Sequence, residues 1–517
     1  MAQQANLNTL VRALHEKAGK GAVDEQRLWS AVQNALEPAS LINFLAEALR
    51  TSADDVEQAL EANGFADVVM QARMSGTGGV AASEGVSSVD TIESPFPELF
   101  DISATSPTTV SAALKENTDK LAAAIAGNAA ADPFLNSYRG HVGEYYDGFM
   151  RDCAPLITDY IEKNFGADGP AYLLNVGIGA NEQSNHLVAR LHNAQPGSRC
   201  KWLIINSPRQ LMNLPADATV ENTLFMEFSR SGKTEETVKV HELTPRNARR
   251  VVFANSGPLH ELGQRDDNLL LTIPAEVSGR FGRDQTPILL AAMLAAGMDT
   301  ASYWGLIQQA TAAFDLSDPA SLPMAMAKFL FLNQKTRGTN HIYLAADHDL
   351  LIMLADEFTQ FWNEGVTKND NDVTMSRYLG LPRDSHMNLE GILANHKTKM
   401  AVCLFGDKLV EGRRHPMIGE SVDAINPQHQ GLCFGDEEKI LAQSNRVRLA
   451  ELMPVVEIML HGAPSLAHSA VIGQLWADVT YCYSRLMNID PGSNPEVKAV
   501  RERAAKLLAH SAKACEK

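Results

Sequence analysis

The sequence predicts an α/β protein built of two doubly wound, three-layer αβα units with parallel sheets, preceded by an N-terminal helical extension. Three observations predict it. Short apolar runs recur at 172–178, 202–205, 223–228, 251–254 and 269–273, with helical patterns between most of them. A second series follows at 341–345, 400–405 and 455–460, with longer helical patterns between. Alternation of strand and helix argues a parallel sheet covered by helices on both faces. The first 70 residues differ, because their apolar residues recur only at helical spacing.

Taken in order, Leu28, Trp29, Val32 and Leu36 repeat at helical intervals, as do Leu41, Leu45 and Leu49. Ser52 fits the cap of a further helix with Val56 and Leu60 on its buried face and Gly64 at its end. From 74 to 97 the composition turns to Gly, Ser, Ala and Thr, which reads as a linker or long loop. The expected organisation is therefore an acidic helical extension with its linker at 1–90, a first α/β domain at 91–315, and a second at 316–517 with C-terminal helices.

Composition narrows the function. The 517 residues are 45% hydrophobic and 21% charged, which gives ample core and excludes a disordered or disulfide-stapled chain. The formal charge is −17, and about half of it arises in 1–130, where eight Lys and Arg face 17 Asp and Glu. Such a chain is poorly suited to nonspecific nucleic-acid binding or to an anionic membrane surface. The acidic N-terminal region reads as a solvated appendage or a partner-docking module. The longest apolar run, 287–298, is too short to span a bilayer and reads as a buried helix. The six cysteines are scattered without C-x-x-C or zinc spacing. With no signal peptide recognised, they are expected to be reduced thiols of a cytoplasmic protein.

Five segments could carry chemistry. Asn175-Val-Gly-Ile-Gly-Ala-Asn-Glu182 follows one expected strand and opens a helix. Its glycines allow a tight turn, and the helix start offers free N–H groups to an anion. Alone it fits a plain strand-to-helix turn equally well. Ser229-Arg230-Ser231-Gly232-Lys233-Thr234-Glu235-Glu236-Thr237 is denser, with hydroxyls, two cations and a glycine after the 223–228 strand. That arrangement suits a phosphate-like anion. Its Gly-Lys-Thr end matches a nucleotide P-loop, but the glycine required five residues earlier is Glu227, so that reading is rejected. In 277–284, Arg280 or Arg283 suits a carboxylate, a phosphate or a developing oxyanion. Gln360-Phe-Trp-Asn-Glu364 ends an amphipathic helix and places a carboxylate beside aromatic rings. Gly380-Leu-Pro-Arg-Asp-Ser-His386 offers a loop histidine as an acid or base.

The order and spacing of these segments resemble the phosphoglucose isomerase family, which is built of two sugar-isomerase (SIS) domains. The resemblance covers roughly 135–510. The family pattern S-K-S-G-T-T-x-E-T corresponds to Ser229–Thr237, G-G-R-[FY]-S to 278–282, and Q-x-x-x-E-S-x-G-K to Gln360, Glu364, Gly365, Thr367 and Lys368. It implies an aldose–ketose isomerase that interconverts glucose 6-phosphate and fructose 6-phosphate, with no metal and no cofactor. Glu364 would move a proton between C1 and C2, Arg280 would stabilise the enediolate, and His386 would help open the ring. Ser229, Ser231 and Thr234, flanked by Arg230 and Lys233, would hold the sugar's phosphate. Asn181 stands where the family often has Ser, beside Gly179, and Gln360 would lie near the reacting carbons. A homodimer is implied, with His386 shared across the interface.

Several positions depart from the family. The segment matching its C-terminal lysine motif runs from Asn494, grouped with the substrate-binding residues, to Arg501. Arg501 stands in the lysine's place, and a one-turn slip would substitute Lys498. Lys233 replaces a small hydroxyl residue and Gly365 replaces Ser. These departures leave open an isomerase of another 6-anionic sugar, such as a sulfonate, or a catalytically weak sugar-phosphate-binding regulator.

Overall fold

In a computed structural model the chain divides into two compact units, Met1–Gly85 and Val86–Lys517. The residues described are 89–139, 142–265, 267–273, 287–346, 349–368, 372–377, 389–406, 434–492 and Arg503. All of them belong to the second unit. The helices expected in the first 70 residues, and most of the linker, lie outside the described residues.

The first sheet has five parallel strands: β3 (Tyr172–Val176), β4 (Lys201–Ile205), β5 (Thr223–Phe228), β6 (Arg249–Phe253) and β7 (Leu269–Leu271). They lie in the order β4-β3-β5-β6-β7. Every residue of β3 and β5 is buried, as expected of central strands covered on both faces. Helices Ala154–Phe165, Ala180–Ala194, Glu235–Leu243 and Pro287–Ala295 accompany this sheet, and the last is the apolar run read as a buried helix. From β3 the chain steps outward to β4, then crosses back to β5 on the other side of β3. The strand order therefore reverses between β3 and β5. At such a reversal the loops beyond the strands' C-terminal ends part and leave a crevice for a ligand.

The second sheet has six strands in the order β1-β2-β11-β10-β8-β9. The parallel members are β8 (His341–Ala346), β9 (Thr374–Arg377), β10 (Lys399–Gly406) and β11 (Val455–Leu460). Two antiparallel strands, β1 (Val89–Ile92) and β2 (Phe100–Thr105), extend this sheet, with β2 pairing β11 from Val455↔Thr105 to Leu460↔Phe100. Residues 89–105, nearly all within the stretch expected to form the first domain, thus build the second sheet. Helix Ala112–Asn128 follows them and packs on helices Leu322–Arg337 and Leu466–Leu486. β2 alternates buried and outward residues, so burying Phe100, Ile102 and Ala104 requires the β11 edge.

Helix Leu466–Leu486 is buried along almost its whole length. It packs on helices Thr300–Ala313, Leu322–Arg337, Asp349–Gly365 and Ala180–Ala194, and so touches the layers of both sheets. Its Asp478 is fully buried, accepts from Tyr138 Oη at 2.9 Å and Gln474 Nε2 at 3.1 Å, and burial pushes its carboxyl up. Cys153, Cys200 and Cys482 are free thiols, and burial pushes the Cys200 thiol up to about 12. Among the described residues no helix is long and apolar enough to cross a membrane.

Candidate active site

The site begins where the order of the first sheet reverses. After β3 the chain turns through Gly177 and Gly179 into helix Ala180–Ala194, and Gly179 is its N-cap at φ +76°. Gln183 N donates to Gly179 O at 2.9 Å, which closes the first turn. A Cβ at Gly179 would lie 2.9 Å from Gln360 Nε2. Gln360 belongs to helix Asp349–Gly365 of the second sheet, which packs along helix Ala180–Ala194. The glycine is therefore required on two counts: its backbone angle and the passage of the Gln360 amide.

Gln360 Nε2 donates to Glu364 Oε1 at 3.0 Å, one helical turn on. Both side chains are partly buried. The far end of this helix is fixed firmly. Lys368 Nζ donates to Glu364 O, and Lys368 N donates to Asp372 Oδ2 at 2.6 Å. Asn363 exchanges two hydrogen bonds with the backbone of β9, donating to Met375 O at 2.7 Å and accepting from Met375 N at 2.8 Å. Thr367 Oγ1 and Trp362 Nε1 both donate to Val373 O, at 3.0 and 2.8 Å. On its opposite face Phe358 stacks on Trp476 at 4.6 Å. A carboxylate on so constrained a helix turn is held in place, which a positioned base requires.

The loop after β5 is the second wall. Ser229 is buried, while Arg230, Ser231 and Lys233 are exposed and Thr234 is partly so. Ser229 Oγ lies 2.8 Å from Thr234 Oγ1 and accepts from Thr234 N at 3.3 Å, and Lys233 N donates to Ser231 Oγ at 3.3 Å. Gly232 N donates to Ser229 O at 2.8 Å. Thr234 is the N-cap of helix Glu235–Leu243 but makes no side-chain cap bond. Its hydroxyl is turned to Ser229. The loop is braced by the turn after β6: Asn255 N donates to Arg230 O and Leu259 N to Gly232 O. Gly232 and Gly257 meet face to face, at φ +61° and +75°. A Cβ at Gly232 would lie 1.7 Å from Ser256 O.

The structure therefore brings the Gln360 amide against Gly179 and within hydrogen-bond reach of Glu364. It sets Ser229, Arg230, Ser231, Lys233 and Thr234 on the neighbouring strand end, because β3 and β5 are paired. The Asn181 side chain, Arg280, His386, Asn494, Lys498 and Arg501 lie outside the described residues. Sequence reasoning missed the supports: Asn363 and Asp372 around the helix, and Glu227, His241 and Arg250 beneath the loop. Glu227 carries a readable signal, since a lone acid within T-L-F-M-E-F has no reason to be in a buried strand unless it is paired.

No family model matches the chain. Among curated proteins it is 26% identical over 314 residues to a glucose-6-phosphate isomerase of Rubrobacter xylanophilus, covering 55% of this chain and 70% of that protein. It is 19% identical over 387 residues to a glucose-6-phosphate isomerase of Methanocaldococcus jannaschii, covering 72% and 94%. Among solved structures it superposes on a hypothetical protein of Thermus thermophilus with a TM-score of 0.60 at 21% identity, over 77% of this chain and 95% of that one. It superposes on a glucose-6-phosphate isomerase of Chlamydia trachomatis with a TM-score of 0.58 at 12% identity, over 80% and 89%. The fold is the two-domain SIS-type α/β fold. With the two curated relatives, it makes the chain similar to glucose-6-phosphate isomerases at low identity.

Proposed function

We propose that this protein is an aldose–ketose isomerase that interconverts glucose 6-phosphate and fructose 6-phosphate through a cis-enediol. The observation that carries the reading is the Gln360–Glu364 hydrogen bond set against Gly179. A carboxylate bonded to the Gln360 amide, which lies against the β3 turn, suits a positioned base, and the hydroxyl-rich loop after the paired strand β5 suits a phosphate. The names of the two curated relatives support the choice of sugar.

In this reading Glu364 takes the proton from C2 of the open-chain aldose and returns it to C1, while the hydroxyl proton passes from O2 to O1. Arg280 faces the enediolate and offsets its charge. His386, contributed by the partner of a homodimer, transfers the proton that opens the ring. Arg501 donates hydrogen bonds without giving up its proton. Gln360 orients the base. Ser229, Ser231 and Thr234, with the helix-start N–H groups, hold the 6-phosphate, and Arg230 and Lys233 add positive charge. Gly179, Asn181 and Asn494 line the sugar.

A coupled assay with fructose 6-phosphate, with and without chelator, tests the reaction. Turnover on the order of 10 per second or more, insensitive to chelator, is expected. Glu364→Gln should abolish proton exchange at C2 and leave sugar-phosphate binding nearly unchanged. An active Glu364→Gln variant would show that the base is another group. The exposed Lys233, where the family carries a small hydroxyl residue, alters the anion loop's charge and leaves a second reading in which the substrate carries another 6-anion, such as a sulfonate. Turnover of the sulfonate sugar without turnover of the phosphate would select it.

A further inference from the structure

A cluster of ionisable groups lies beneath the anion loop, outside the set described so far. Glu227 sits on β5 two residues before Ser229 and is fully buried. Its Oε2 lies 2.5 Å from His241 Nδ1, and its Oε1 lies 3.4 Å from Arg250 Nε. His241 and Arg250 are buried as well. A carboxylate only accepts, so the imidazole Nδ1–H donates. The terminal nitrogens of Arg250 donate to the carbonyls of Thr244, Pro245 and Ala248 and to Thr244 Oγ1. The guanidinium thus closes the chain between helix Glu235–Leu243 and β6 and compensates the buried carboxylate.

The placement of this pair is what matters. Glu227 is on the strand that enters the anion loop, and His241 is on the helix that leaves it. Everything between them is Phe228 and the Ser229–Thr234 loop with the first turns of the helix. That helix has nine residues, too short to hold its own direction, and no side chain caps its start. The 2.8 Å approach of Ser229 Oγ and Thr234 Oγ1 depends on where the helix begins relative to the strand.

We propose that His241 and Glu227 are positioning residues, whose hydrogen bond sets helix Glu235–Leu243 so that Ser229, Thr234 and the first-turn N–H groups converge on the substrate's 6-anion. The inference rests on the reading of the loop as the anion site. Titration calorimetry on the full chain tests it, with glucitol 6-phosphate, which cannot isomerise, and inorganic phosphate as probes. His241→Ala should weaken both by about tenfold, the loss of one charge-assisted hydrogen bond. It should raise KM for the sugar phosphate more than it lowers kcat. His241→Asn places an N–H where Nδ1 was and should recover most of the affinity, whereas a role confined to stability would lower the melting temperature and leave the dissociation constants alone. Glu227→Gln leaves Arg250 buried without its anion. If it does not fold, the two His241 variants decide the matter. A folded His241→Ala protein with unchanged affinity, or an Asn variant as weak as the Ala variant, overturns the proposal alone. A parent protein that binds neither probe overturns the anion-site reading together with it.

Discussion

Gly232 and Gly166 show how much of this site depends on single atoms. Both have positive φ, +61° and +74°, where a side chain is strained by about 1–3 kcal/mol, the more so at Gly166, whose ψ of −166° lies in a region essentially reserved for glycine. Around Gly166 there is nothing within 4 Å, whereas a Cβ at Gly232 would lie 1.7 Å from Ser256 O. Gly166→Ala should therefore lower the melting temperature through backbone strain alone and leave phosphate binding intact. Gly232→Ala must push the β5 loop away from the turn after β6, and phosphate affinity should fall by more than tenfold. Calorimetry on the two variants checks this, and equal affinities would mean that the loop is not the anion site. Gly179 answers a milder version of the same demand, because its neighbour is the end of a flexible side chain.

At the scale of elements, β9 is a short strand held from both sides. Asn363 satisfies Met375 from the helix. From β8, His341 reaches Thr374 Oγ1 with Nδ1 and Ser376 Oγ with Nε2, each at 2.6 Å. A neutral imidazole can donate from one nitrogen and accept at the other, and a charged one would need two acceptors. Burial, with a smaller contribution from Lys399, lowers the His341 pKa from 6.5 to about 4. The unfolded chain therefore takes up this proton more readily than the folded one. The resulting stability is present above pH 6.5 and is lost as pH falls toward 4. Thermal unfolding between these limits should be less steep in pH for His341→Asn than for the parent. Parallel curves would remove His341 as the cause.

Across the whole molecule, helix Leu466–Leu486 connects the two sheets' layers to the helix that bears Glu364. Trp476 is fully buried, stacks on Phe358 and Trp362, and donates to Phe358 O at 3.2 Å. Trp476→Ala should cost about 3–5 kcal/mol in unfolding free energy, because the cavity cannot collapse between two packed helices. Trp476→Phe should cost markedly less. Isomerase turnover should fall with the Ala variant even where it stays folded, since Phe358 and Trp362 share a helix with Gln360 and Glu364. Denaturant unfolding and a turnover assay on both variants measure the two effects. Loss of stability with full turnover would show that the helix is positioned from its other side.

The strands of the first sheet could be read directly, because a central parallel strand is apolar whatever it pairs with. Tyr172–Val176 and Thr223–Phe228 need no partner to be recognised. The anion loop was legible for a similar reason: its hydroxyls, cations and glycine are contiguous, and helix-start chemistry is local. The sequence also determined β8, β10 and β11 by the same apolar signal. Tertiary structure alone decided where 89–105 belong. Phe100–Thr105 alternates buried and outward residues and pairs with β11, about 350 residues away, Val89–Ile92 pairs with it in turn at the sheet edge, and their Gly/Ser-rich approach masks their period. β9 was missed for the same reason, since Thr-Met-Ser-Arg becomes a strand through Asn363 and His341. The proximity of Gln360 to Gly179 was likewise invisible, because it depends on two helices from different sheets packing side by side. Local chemistry specifies the parts of this site, and long-range packing specifies which of them meet.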